Sequence, residues 1–133
     1  GRKLGRAQLE NAARLEVVSS VSVGYDNYDV AYFNERGIML TNTPDVLTES
    51  TADLAFALLM SSARRVAELD AWTKAGQWQG TVGAPLFGCD VHGKTLGIVG
   101  MGNIGAAIAR RGRLGFNMPI LYSGNSRKTE LEQ

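Results

Sequence analysis

The sequence predicts an α/β protein built from parallel strand pairs, and three observations carry that prediction. Short apolar segments at 15–19, 38–41, 95–99 and 120–122 alternate with stretches of helical character. A strand, a helix and a second strand in that order require a crossover, which leaves the strands parallel. Finally, Gly100-Met101-Gly102-Asn103-Ile104-Gly105 stands between the run Thr95-Leu96-Gly97-Ile98-Val99 and the alanine-rich stretch 106–109. That is strand, glycine turn, helix, the setting in which a G-x-G-x-x-G is informative.

The totals bound the rest. A chain of 133 residues has the length of about one domain, and 44% hydrophobic with 20% charged residues is ordinary for a globular protein. The balance of 14 basic against 13 acidic residues gives no reason to expect a nucleic acid or a membrane surface as partner. One cysteine and one histidine leave neither a disulfide framework nor a metal-ligand cluster. Arg2, Lys3 and Arg6 lead into polar sequence, so no signal peptide and a cytoplasmic location are expected. The longest apolar stretch, 54–60, is far too short to span a bilayer.

Taken in order, residues 6–14 read as a polar helix or helix end, followed by the strand at 15–19, which Gly24 breaks. Asp26 or Asp29 can cap a short helix to about Arg36, with Gly37 where a C′ glycine belongs. The strand at 38–41 stops at Asn42-Thr43-Pro44. Ser50-x-x-Asp53 resembles a capping box and opens the longest helix, from about Ser50 to Lys74, spanning roughly 37 Å. Residues 54–60 are apolar on every side, so that half is expected to be buried all round, as core or as a subunit contact. Residues 76–93, punctuated by Gly80, Gly83, Pro85 and Gly88, read as an irregular linker. A helix at about 103–114, the strand at 120–122 and a polar helix starting at Lys128 complete the pattern.

In the glycine turn, Gly100 allows the tight turn and Gly102 lets the backbone approach a pyrophosphate. Gly105 lets helix and strand pack closely, and the phosphates rest on the helix N-terminus. The bland alternative is a glycine-rich β–α turn that binds nothing. Each half of the chain offers about two strands, where a doubly wound sheet has five or six. Both ends break off where another element should follow. The expectation is a piece of a longer protein, with two incomplete Rossmann-like doubly wound halves joined by a long helix.

Several blocks in register are similar to the D-isomer-specific 2-hydroxyacid dehydrogenases, and most to their glyoxylate/hydroxypyruvate reductase branch, which includes 2-ketogluconate reductases. They are Ser22-Val23-Gly24-Tyr25-Asp26, Asn42-Thr43-Pro44-Asp45-Val46-Leu47-Thr48, Ser50-Thr51-Ala52-Asp53, Gly93-Lys94-Thr95-Leu96-Gly97, the glycine fingerprint, and Leu121-Tyr122-Ser123-Gly124. The resemblance implies the end of a substrate domain at 1–48, a connecting helix and linker at 49–92, and the first half of an NAD(P) domain at 93–133. It also implies a small 2-oxo acid as substrate and a homodimer formed through the long-helix region.

By that resemblance the backbone amides of Val23 and Gly24 hold the substrate carboxylate. A strand end followed by glycine suits an anion nest, although a turn without ligand fits as well. Asp26, Asn27 and Asp29 read as turn and cap residues. Thr51 faces the nicotinamide side in such enzymes, while helix capping explains Thr48, Ser50 and Thr51 equally. Asn103 stands where the family usually has arginine, so Asn103 and Ile104 would offer only main-chain N–H groups there.

The cofactor choice is read from Ser123-Gly124-Asn125-Ser126-Arg127-Lys128. An NAD enzyme of this type has an acid at the end of the second strand to hold the ribose 2′-OH. Ser123 in that place, with Arg127 and Lys128 close behind and a hydroxyl plus an arginine fork able to accept a 2′-phosphate, favours NADP(H) over NAD(H). The alternative is a solvated polar turn. His92 lies in the linker before the nucleotide strand and reads as a surface or hinge histidine, and Cys89, Trp72 and Trp78 as packing or linker residues. The resemblance puts the family's catalytic arginine, glutamate and histidine beyond Gln133, so no catalytic residue is assigned within the chain and it is expected to be inactive alone. Rival readings are an NAD(H)-sensing regulatory protein of the C-terminal-binding-protein corepressor type, or another Rossmann enzyme.

Overall fold

In the first of two units, Gly1–Leu47, strands β1 (Val17–Ser19) and β2 (Met39–Thr41) pair in parallel, Val18 opposite Leu40. The structure is a computed structural model that describes residues 3–132; Gly1, Arg2 and Gln133 lie outside the described residues, and with them Arg2's place in the basic opening. The helix expected at 6–14 is the four-residue α1 (Arg6–Leu9), after which turns closed by Ala12 and Leu15 amides return the chain to β1.

Helix α2 (Val30–Arg36) crosses between the strands. Of the two candidate caps, Asp29 serves: its Oδ1 accepts the Tyr32 amide at 3.0 Å. Gly37, at φ +67°, ends the helix in the left-handed region. The helix buries Tyr32 and Phe33 with Ile38 against Val18 and Leu40, and Phe33 is wholly excluded from solvent.

The second unit, Thr48–Gln133, holds α3 (Thr48–Ala63), α4 (Val66–Lys74), β3 (Leu96–Val99), α5 (Asn103–Phe116) and β4 (Ile120–Ser123). The polar helix expected from Lys128 is a single 3₁₀ turn, Thr129–Leu131. Residues 49–92 do not stand apart as a connector, because α3 packs along α5 within this unit.

The single helix expected over 50–74 is two helices, broken at Arg65, whose φ of +55° lies in the left-handed region. The cause is tertiary. The returning linker caps α3, with the Cys89 amide donating to the Ala63 carbonyl at 2.7 Å. Arg65 then reaches forward to the Glu68 carboxylate (2.7 Å) and across to the Pro85 carbonyl (2.5 Å). Gly88 is needed at this crossing, since a Cβ there would come within 2.5 Å of the Ala63 oxygen.

The expectation that 54–60 is buried all round also fails. Only one stripe, Ala52, Phe56, Leu59, Met60 and Ala63, turns inward, because within the unit α3 has α5 on one side. Leu54 and Leu58 are each 61% exposed.

Strands β3 and β4 pair in parallel, Val99 opposite Ser123. Leu96 and Ile98 are buried with Met101, Met118 and Phe56, and the rings of Phe56 and Phe116 lie 4.9 Å apart. The other sheet face carries exposed Val99 and Leu121. Among the described residues no helix is long and apolar enough to cross a membrane.

Candidate functional site

The site grows from the end of β3. Gly100, at φ +96°, turns the chain in the region that disfavours a side chain, and its N–H donates to the Ser123 carbonyl at 2.7 Å. That bond holds the glycine turn beside the end of β4. Gly102 precedes α5 in extended conformation, and a Cβ built on it would meet nothing within 4 Å. Gly105 is the opposite case: a Cβ there would overlap the Gly100 carbonyl oxygen and press on Ile98. Turn, open approach and close packing thus fall on the three fingerprint glycines. Asn103, Ile104 and Gly105 form the first turn of α5, where a helix presents its amides outward.

A cleft of about 480 Å³ opens over this turn, lined by Val99, Gly100, Met101, Gly102, Ser123, Gly124, Asn125, Ser126 and Lys128. Six of the residues expected to bind cofactor therefore come together: Gly100, Gly102, Ser123, Gly124, Asn125 and Ser126. Arg127 does not line the cleft. Its guanidinium grips the Glu132 carboxylate, with Nε and Nη2 at 2.9 and 2.6 Å from Oε2. The Arg127 guanidinium, then the Tyr122 hydroxyl, hold the Glu132 carboxyl below the usual carboxylate range. The Glu132 carboxylate in turn pushes the Tyr122 phenol up. Thr51 lies half-buried in the first turns of α3.

In the first unit the amides of Val23 and Gly24 share an orientation. The Ser22 carbonyl accepts the Thr43 amide at 3.0 Å, and the Val23 carbonyl accepts the Asn42 side-chain amide at 2.9 Å. In trans peptides the N–H points opposite the carbonyl. Both carbonyls face residues 42–43, so the Val23 and Gly24 amides face away from them. The Ser22 hydroxyl also donates to the Gly24 carbonyl at 2.8 Å, which stiffens the turn.

With this geometry in view, comparisons with known proteins converge. The family described as D-isomer specific 2-hydroxyacid dehydrogenase, catalytic domain, matches residues 1–129. The chain belongs to that family. It is 53% identical over its whole length to a glyoxylate/hydroxypyruvate reductase B of Erwinia tasmaniensis, covering 41% of that relative. It superposes on the NADPH-dependent glyoxylate/hydroxypyruvate reductase of Sinorhizobium meliloti solved with NADP and malonate, with a TM-score of 0.81, 38% identity, and 96% and 40% of the two chains covered. It likewise matches the D-lactate dehydrogenase of Aquifex aeolicus solved with NAD and lactic acid, with a TM-score of 0.86, 28% identity, and 98% and 38% covered. The chain spans about two fifths of the length of the relatives it matches.

This dehydrogenase family chain fits a dinucleotide at the glycine turn on its own structure, since Gly102 leaves open the approach that a side chain would fill. The rest of its polar chemistry lies elsewhere. His92 is exposed and precedes β3, at the opposite end of the strand from the glycine turn. It lines a separate cleft with Arg64, Asp90 and Lys94. Cys89 is exposed, Trp72 is half-buried, and Trp78 is 62% exposed with its Nε1 donating to the Gly80 carbonyl at 2.7 Å. Sequence reasoning placed Lys128 in the stretch read for cofactor choice without listing it as a site residue, and left out Glu132, whose carboxylate draws Arg127 away from the cleft. The available signal was the carboxylate of Glu132 placed five residues after Arg127.

Proposed function

We propose that this chain supplies the nucleotide-binding and carboxylate-binding parts of an NADPH-dependent reductase of small 2-oxo acids. Glyoxylate, hydroxypyruvate and 2-ketogluconate are the substrates in view, with D-2-hydroxy acids as products. The observation that carries the reading is the cleft over the glycine turn, where β4 ends in Ser123 rather than an acid and basic residues follow. An acid at that point would repel a ribose 2′-phosphate, whereas a hydroxyl and a cation accept one.

The amides at Gly102, Asn103, Ile104 and Gly105 hold the diphosphate, Gly100 sets the turn with its own amide bonded to Ser123, and Ser123, Gly124, Asn125 and Ser126 border the adenosine ribose. Thr51 offers a hydroxyl on the nicotinamide side. The bound cofactor supplies a hydride for the carbonyl carbon. Val23 and Gly24 grip the substrate carboxylate by two amides, so the acid is oriented by its non-reacting end. The developing alkoxide needs a proton, and His92 stands at the wrong end of β3 to give it. Residues 1–133 alone therefore do not turn over. Exposed Leu54 and Leu58 favour a homodimer formed through α3.

The names of the Erwinia and Sinorhizobium relatives support the substrate class and, for the latter, NADPH. The test is NADPH oxidation by the full-length protein with glyoxylate and hydroxypyruvate. Oxidation with either acid is expected. Cofactor binding without turnover of any 2-oxo acid would instead favour a nucleotide-sensing role.

A further inference from the structure

We propose that Lys128, and not Arg127, recognises the phosphorylated ribose, and that Glu132 makes the choice between them. The inference rests on the NADP(H) reading above. Arg127 has a side chain 76% exposed, and both its Nε and its Nη2 donate to one carboxylate, that of Glu132. A guanidinium paired in this way has its fork occupied and its charge balanced, so little of it remains for a phosphate.

Glu132 is itself held by a second donor, the Tyr122 hydroxyl at 2.6 Å. The same Tyr122 oxygen accepts the main-chain N–H of Lys128 at 2.7 Å. Tyr122 belongs to β4 and stands opposite Ile98 in the sheet, which anchors the whole clamp. The relay Arg127–Glu132–Tyr122–Lys128 thus keeps Arg127 off the cleft and pins the Lys128 backbone at its edge. Lys128 is half-buried there and lines the cleft with Ser123, Asn125 and Ser126. An ammonium beside two hydroxyls and an amide is a suitable set for a phosphate monoester on a sugar.

The test is calorimetric titration of the full-length protein with NADPH and with NADH, for the wild type, Lys128→Met and Arg127→Met. Methionine keeps the aliphatic stem and removes the charge. Lys128→Met is expected to weaken NADPH binding ~10–100-fold, the loss of one charge-assisted contact, and to leave NADH binding within about twofold. Arg127→Met is expected to change both by less than about threefold. An NADPH-selective loss in Arg127→Met, with none in Lys128→Met, overturns the assignment while leaving the NADP(H) reading intact. A wild-type protein that binds NADPH no more tightly than NADH overturns the reading itself.

Discussion

Arg111 on α5 donates to the Asp53 carboxylate on α3, Nε to Oδ1 at 2.9 Å, and to the main-chain oxygen of Glu49 at 3.3 Å. Its Nη1 is braced on the Ala107 carbonyl of its own helix at 3.0 Å. Arg110 adds a contact to Glu49 at 2.7 Å but is far more exposed. The first turns of α3 are thereby tied to the helix that begins at the glycine turn. Arg111→Met should lower the thermal unfolding midpoint clearly, and Arg110→Met should barely move it. Equal effects in thermal melts would mean that the two arginines are interchangeable.

Glu49 adds a pH dependence to the same joint. Hydrogen bonds from Arg110 and then Arg111 hold its carboxyl below the ordinary 4.5. The folded chain thus binds that proton more weakly than the unfolded one. The contribution is full above about pH 4.5 and is lost as pH falls through the lowered value. The stability difference between wild type and Glu49→Gln should therefore shrink between about pH 7 and about pH 3, as read by urea titration at both. A difference that grows on acidification would contradict the pairing.

The fingerprint glycines should separate folding from binding. Gly102→Val places a side chain in open space, so stability should change by less than about 0.5 kcal/mol while NADPH affinity falls tenfold or more, to order of magnitude. Gly105→Ala collides with the Gly100 carbonyl, so it should cost ~1–3 kcal/mol of stability. Denaturant melts paired with NADPH titration on each variant would show the pattern, or its reverse.

The exposed stripe of α3 makes a prediction about assembly. Leu54→Lys with Leu58→Lys should shift the full-length protein toward monomer in analytical ultracentrifugation, without loss of helix signal. An unchanged dimer would move the interface elsewhere.

Where the sequence was legible, one residue type answered one local demand. Gly37 and Gly100 need positive φ, Asp29 caps α2, and the three fingerprint glycines divide turn, approach and packing as their spacing implies. The break at Arg65 was hidden because its cause, the return of residues 85–89 over the end of α3, lies about 20 positions away. The exposure of Leu54 and Leu58 was hidden because an apolar run states how greasy a helix is and not how many neighbours it has. At the candidate site the glycine geometry was readable from its spacing. The pairing of Arg127 with Glu132 was not, since that carboxylate is brought round by the 3₁₀ turn at Thr129–Leu131.

On the proposed function, cofactor choice turns on Ser123. Ser123→Asp should place an anion beside the 2′-position, weakening NADPH by about tenfold or more and sparing or improving NADH. Loss of both cofactors to the same degree would indicate a damaged turn rather than altered recognition.

The most direct measurement is the ratio of NADH to NADPH dissociation constants for the full-length wild-type protein at one ionic strength. A ratio of about ten or more in favour of NADPH is expected, the worth of one added phosphate contact. A ratio at or below about one contradicts the NADPH reading.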